Sequence, residues 1–239
     1  MIIDIDIGNT RAKWRLSSAG SVLERGQLHT RRKDWATLHS LQCYKPERVR
    51  VSNVGGSGVE EVVRQLVANE FGLDVEFAVA SKAVGDVVSG YEQPEQLGVD
   101  RWLALLAGWD LFGRQCVIVD AGSALTLDFL NGQAKHLGGY IMPGRQMMLD
   151  SLLGGTSGVR ADTPKVAGLS YGQNTDSAVH NGYLLMTIAL IEKILSVEGL
   201  DRIDLAITGG DAESLLMHLP SSVIHVPDLV LDGLALALP

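Results

Sequence analysis

Residues 1–10 read Met1-Ile2-Ile3-Asp4-Ile5-Asp6-Ile7-Gly8-Asn9-Thr10. Apolar and acidic side chains alternate from Ile2 to Ile7, the period of a β-strand, and the run stops at the turn dipeptide Gly8-Asn9. A strand-end acid followed by Gly-Asn-Thr lets the backbone bend tightly and aim successive N–H groups at an anion. Asn9 and Thr10 add side-chain donors, and Lys13 lies a few residues along the next strand. Taken alone, the same residues also suit an ordinary hairpin with an Asx turn.

Outward from this stretch, Thr10–Ser18 and Val22–Thr30 read as two further strands joined around Gly20. A helical segment near Lys33–Cys43 leads to a short strand, Arg48–Ser52. In Ser57–Phe71, Val59, Val62, Val63, Leu66, Val67 and Phe71 recur at helical spacing. Ser57 is the expected N-cap there, with Glu60 completing a capping box. Val75–Val79 is a strand, and a loop then leads to a helix starting near Leu97.

The order then begins again. Gln115–Asp120 is a β-branched run that ends at Ala121-Gly122-Ser123; Leu125–Leu130 and Ala134–Ile141 follow as strands around an Asn131-Gly132 hairpin signal. Arg145–Leu153 reads as helix, Gly154–Gly172 as loop, and Asn174–Val197 as a long helix apolar around much of its circumference. Such a helix is covered on more than one side, by its own core or by a second subunit. Ile203–Thr208, Ala212–His218, Val223–Val226 and Leu229–Leu238 read as strand, helix, strand and helix. Two mixed α/β units are therefore expected, residues 1–114 and 115–239. Each opens with a strand ending in an acid and a glycine turn: Asp6-Ile7-Gly8-Asn9-Thr10 and Asp120-Ala121-Gly122-Ser123-Ala124. Two such domains facing each other across a cleft make a natural ATP site. The carboxylates of Asp6 and Asp120 would act on phosphates through a cation or its waters, because like charges repel.

Two further segments carry chemistry. Gly98-Val99-Asp100-Arg101 places an acid and an arginine in the first turn of a helix, where Asp100 could accept the proton of an attacking hydroxyl and Arg101 could hold an oxyanion bidentately. A helix-start acid with a surface arginine is the ordinary alternative. Thr208-Gly209-Gly210-Asp211 would let a flat ligand such as an adenine ring approach the backbone, or would be a plain strand-to-helix turn capped by Asp211. A Gly-x-x-x-x-Gly-Lys-Ser/Thr loop is absent, as is a Gly-x-Ser-x-Gly elbow. The six histidines show no metal-ligand spacing and read as structural or surface residues, and the four tryptophans as packing.

The 239 residues are 46% hydrophobic and 20% charged, with a formal net charge of -8. That balance fits a globular protein with a sizeable core, and without a basic stripe it argues against nucleic acid as a partner. The start of the chain does not look like a signal peptide, and no stretch reads as ~20 uncharged apolar residues, so no membrane is expected and the cytoplasm is the expected compartment. Cys43 and Cys116 are expected to be buried free thiols.

Asp6-Ile7-Gly8-Asn9-Thr10, Gly98-Val99-Asp100-Arg101, Asp120-Ala121-Gly122-Ser123-Ala124-Leu125-Thr126 and Thr208-Gly209-Gly210, in this order, resemble the motifs of the type III pantothenate kinases. These belong to the acetate-kinase, sugar-kinase and actin-like superfamily. Tyr91-Glu92-Gln93-Pro94-Glu95-Gln96-Leu97 and Gly138-Gly139-Tyr140-Ile141-Met142-Pro143-Gly144 match the same pattern. The resemblance implies two ribonuclease-H-like domains, a homodimer, Mg2+ with ATP, and a monovalent cation (K+ or NH4+). It implies phosphorylation of the primary hydroxyl of pantothenate, the first step of coenzyme A synthesis. Asp100 would be the general base. Asp6, Ile7, Gly8, Asn9, Thr10, Arg11, Ala12 and Lys13 would form the first ATP loop. Ser123 would sit at the nucleotide phosphates and Asp120 would bind the monovalent cation. Tyr91, Gly98, Val99, Asp100, Arg101 and Thr175 would contact pantothenate. Ser123 stands where the family usually has threonine, keeping the hydroxyl. The alternatives are a kinase of the same superfamily with another small hydroxylated substrate, and a non-catalytic nucleotide-binding regulator.

Overall fold

The opening alternation produces strand β1 (Ile2–Ile7), in which Ile3, Ile5 and Ile7 are fully buried. They share a core with Leu38 and Leu41 of a 3-10 helix (Trp35–Tyr44) and with Val63 and Val67 of helix α1 (Ser57–Phe71). The alternate position Asp4 is just as buried, so both faces of β1 are covered, and its charge is met by Arg15 Nε at 3.0 Å and Arg50 Nε at 2.7 Å. β1 runs antiparallel to β2 (Arg11–Ser18) and parallel to β4 (Arg48–Asn53). With β3 (Ser21–His29) and β5 (Val75–Phe77) they form a five-stranded sheet of order β3-β2-β1-β4-β5. The computed structural model describes residues 1–30, 35–161, 167–196 and 203–239. The expected helix start at Lys33 lies outside them.

The capping expectation at α1 is corrected. Gly56 (φ 92), not Ser57, precedes the helix, and its carbonyl accepts from both Val59 and Glu60 N–H at 3.2 Å. Ser57 has already entered the helix, and Glu60 pairs with Arg64 one turn on. A two-residue hairpin, β6 (Ala83–Val84) with β7 (Val87–Val88), follows the sheet. It is too short for its period to show in the sequence. After a 3-10 turn at Pro94–Gln96, helix α2 spans Val99–Phe112 and ends at Gly113 in the left-handed conformation.

The second half repeats the topology. Strands β8 (Cys116–Ala121), β9 (Ala124–Leu130), β10 (His136–Pro143), β11 (Asp204–Thr208) and β12 (Ile224–His225) form a sheet of order β10-β9-β8-β11-β12. Replacing each strand by its counterpart in chain order gives the order of the first sheet. β8, the counterpart of β1, runs parallel to β11, as β1 does to β4. Helices α3 (Arg145–Gly155), α4 (Thr175–Leu195) and α5 (Ala212–Leu216) accompany it. By length and composition α4 could cross a membrane, yet Leu184, Ile188, Ile191 and Ile194 pack into the core under β8 and β11. Helix α6 spans Leu229–Ala237.

The chain divides into two compact units. The first comprises Met1–Arg114, Leu130–Gly138 and Asp228–Pro239; the second comprises Gln115–Phe129 and Gly139–Pro227. The first unit thus gathers three stretches of chain and the second unit two. The physical reason lies in α6 and the β9–β10 connection. A Cβ on Gly233 would overlap the backbone of Leu103 in α2, so the two helices touch through their main chains. Arg15 donates to the Leu231 carbonyl at 2.7 Å and pairs with Asp232, while Arg50 donates to the Leu238 carbonyl at 2.7 Å. Val88 N–H bonds the Ala134 carbonyl at 3.0 Å. The thiol expectation is corrected in part: both cysteines are free, but Cys43 is exposed and only Cys116 is buried.

Candidate active site

The first turn is shaped by its own backbone. Gly8 N–H donates to the Arg11 carbonyl at 3.0 Å, and a side chain at Gly8 would press on that oxygen. Three carbonyls of the turn are claimed from the protein side: Val54 N–H takes that of Ile7, Thr30 Oγ1 that of Gly8, and Thr30 N–H that of Thr10. Carbonyls occupied in this way leave the turn's outer surface to donors, the polarity an anion needs. Asn9, Thr10 and Arg11 are exposed there, and Asp6 is half-buried beside Lys13 in the β1–β2 register. Arg11 also lines a cavity of about 240 Å³ with Gln27, Leu28 and His29.

The corresponding turn of the second unit is gripped more tightly. Gly122 N–H donates to the Ala124 carbonyl at 3.0 Å, and Gly144 N–H, at the start of α3, donates to the Ser123 carbonyl at 3.0 Å. A Cβ on Gly144 would overlap the Gly122 carbonyl oxygen, and one on Gly209 (φ +96) would overlap Ala121 and lie 2.5 Å from Asp120 Oδ1. Asp211 N–H caps the Ala121 carbonyl at 2.9 Å. In the structure, then, Gly209 is required by the turn that carries Asp120 and Ser123; a flat ligand is not needed to explain it. Nor does the Asp211 side chain cap α5: its carboxylate lies 3.6 Å from Arg145 Nε.

The third element belongs wholly to the first unit. Gly98 precedes α2, and the Trp102 N–H bonds its carbonyl at 3.0 Å. Asp100 is half-buried in the first turn, where its Oδ1 accepts from the Arg101 N–H at 2.7 Å. Arg101 is 7% exposed. Its Nη1 donates to the Tyr91 hydroxyl at 2.9 Å, and its guanidinium stands 5.7 Å from the centre of the Tyr91 ring. Tyr91, Asp100 and Arg101 are therefore gathered by the fold, whereas Asp120, Ser123 and Thr175 are carried by the second unit. Thr175 is exposed in the first turn of α4, behind an Asn174–Ser177 capping box.

Two neighbours of these residues escaped the sequence. Gly144 stood out only within a family pattern. His136, read as structural or surface, is fully buried with its ring stacked on Tyr91. Contacts between residues so far apart in the chain leave no spacing signal. Among the described residues no group of three His, Cys, Asp or Glu side chains gathers as a metal cage. Asp6 and Asp120 stand as single strand-end carboxylates, a donor set that suits a cation carried largely by phosphate oxygens and water.

The duplicated five-stranded sheets define the class. A candidate Baf-family transcriptional activator from Campylobacter jejuni superposes with a TM-score of 0.61 at 22% identity, over 98% of this chain and 95% of its own. A candidate 2-dehydro-3-deoxygalactonokinase from Sinorhizobium meliloti gives 0.60 at 12% identity, over 99% and 98%. The fold is that of the sugar kinases and actin-like ATPases. Within that class the type III pantothenate kinase family model matches residues 2–197. Type III pantothenate kinases of Chromohalobacter salexigens and Alcanivorax borkumensis are 38% and 34% identical, covering 100% and 98% of this chain and 88% and 97% of their own. The chain belongs to the type III pantothenate kinase family.

Proposed function

We propose that this chain transfers the γ-phosphoryl group of ATP to the primary hydroxyl of pantothenate, giving 4'-phosphopantothenate at the first step of coenzyme A synthesis. The observation that carries this reading is family membership along nearly the whole chain, with all three motif acids present at the positions described above. In the reaction the hydroxyl oxygen bonds to the γ-phosphorus as the bond to the β,γ-bridging oxygen breaks, and ADP leaves. Asp100 takes the hydroxyl proton; with a loose transition state it works mainly by orienting the alcohol. Its hydrogen bond from the Arg101 N–H favours the ionised carboxylate this task needs. Arg101 binds the pantothenate carboxylate, beside Tyr91, Gly98 and Val99, and Thr175 adds a further contact. The residues from Asp6 to Lys13 bind ATP phosphates in the first unit, and Ser123 does so in the second.

Asp6 would meet Mg2+ through water, and Asp120 would hold K+ or NH4+; bound there, these ions neutralise phosphate charge. A homodimer is supported by the apolar surface of the second unit. Tyr140 and Ile141 on β10, Met147 on α3, and Leu185 and Met186 on α4 are each about half exposed or more. The proposed compartment is the cytoplasm. ADP release that requires both pantothenate and K+ is the expected result of a coupled assay. ATP hydrolysis indifferent to pantothenate would overturn the reading. Light scattering at twice the protomer mass would support the dimer.

A further inference from the structure

The end of β9, the start of β10 and the residues between them, Leu130–Gly138, group with the first unit. Its docking is specific. Val88 pairs with Lys135 as a parallel bridge, and Val88 N–H bonds the Ala134 carbonyl at 3.0 Å. Two residues further on, a Cβ on Gly90 would overlap the His136 carbonyl and lie 2.9 Å from its carbon, so residues 88–91 lie directly against this backbone. At the end of the contact the side chains meet. The Tyr91 and His136 rings are 5.8 Å apart and inclined by only 12°. His136 is 0% exposed, so it forms the buried side of the stack. Tyr91 in turn presents its hydroxyl to Arg101 Nη1 at 2.9 Å and its face to the same guanidinium.

We infer that His136 is a positioning residue for acceptor recognition, acting through Tyr91 to fix the direction in which Arg101 presents its fork. The inference rests on the proposed pantothenate kinase activity and adds a residue to it. Ordinary core packing explains the burial of His136. It does not explain why the chain at Gly90 comes so close that a methyl group is excluded, nor why the stacked ring is the one bonded to Arg101. A guanidinium binds a carboxylate bidentately only when its plane is correctly aimed, so a loosened Tyr91 weakens acceptor binding and leaves ATP binding alone.

The test is a steady-state comparison of wild type, His136→Ala and Gly90→Ala. His136→Ala removes the stack, and the expected result is a rise of roughly 3- to 10-fold in KM for pantothenate, with KM for ATP unchanged. Gly90 itself is exposed, but a methyl group there meets the His136 carbonyl, so Gly90→Ala must displace the 89–91 segment, and a retained near-ultraviolet circular dichroism signal shows that the variant is folded. It is expected to give the same one-sided change, and it decides the matter if His136→Ala does not fold. An unchanged pantothenate KM in Gly90→Ala, or an equal rise in both KM values in either variant, overturns the inference while the kinase reading stands. A wild-type chain inactive on pantothenate overturns both.

Discussion

Asp100 is held by its own helix: the Arg101 N–H binds its Oδ1, and Gly98 leaves room for that oxygen, since a Cβ there would approach it to 2.8 Å. Asp100→Asn keeps the shape and removes the proposed base. Turnover is expected to fall roughly 100- to 10,000-fold while nucleotide binding, followed by calorimetry, is retained. Ser123→Thr keeps the hydroxyl and adds one methyl group, and kcat within about 2-fold of wild type is expected. The two cysteines offer a chemical check. Burial pushes the Cys116 thiol from its ordinary 9.0 up to about 12, whereas Cys43 is exposed. One thiol should alkylate in the native protein and the second only in denaturant. Because the folded state holds the Cys116 proton more tightly, its contribution to stability is complete below pH 9 and is lost as pH rises from about 9 towards 12. The urea midpoint of Cys116→Ala should therefore fall less steeply than that of wild type in that range.

Within single elements, glycine contacts set the sharpest constraints. Gly233→Ala would drive a methyl group into the backbone of Leu103 and separate α2 from α6; a loss of roughly 1–3 kcal/mol or more is expected from overpacking alone. Gly209→Ala meets both a positive φ and the Asp120 turn, so it should lower stability and activity together. Asn174→Ala removes the α4 cap and should cost about 1 kcal/mol in chemical denaturation. Most of these elements were legible in the sequence because period and turn residues are local: β1, α1 and the paired Asp-x-Gly turns lie where the pattern puts them. What is not legible depends on long-range contact. Gly56 takes over the cap of α1 through a backbone carbonyl, the two-residue strands β6 and β7 have no period, and the closeness of His136 to Tyr91 arises only when Leu130–Gly138 docks.

For the molecule as a whole, the decisive feature is the buried charge cluster that ties its two ends into one unit. Asp4 is shared by Arg15 and Arg50, and the same arginines hold Asp232 and the carbonyls of Leu231 and Leu238. Burial works against the Arg15 charge, but Asp232 and Asp4 together hold its pKa above the ordinary value. Asp4→Ala leaves two guanidinium groups without their common anion, and a loss of about 3–5 kcal/mol in urea unfolding is expected. Removal of residues 228–239 should abolish cooperative unfolding of the first unit, read by the near-ultraviolet circular dichroism of buried Trp14 and Trp102.

The same cluster sets an order of events during synthesis. Domains usually fold in the order in which they emerge from the ribosome. Here residues 115–227 carry nearly all of the second unit's strands and helices, yet the first unit cannot close until residues 228–239 have left the exit tunnel. The half made first is finished last. Until then Arg15 and Arg50, which pair with Asp4 of β1, lack the Asp232 and Leu238 partners that complete the cluster, and this nascent stage is where chaperone dependence of the chain would concentrate.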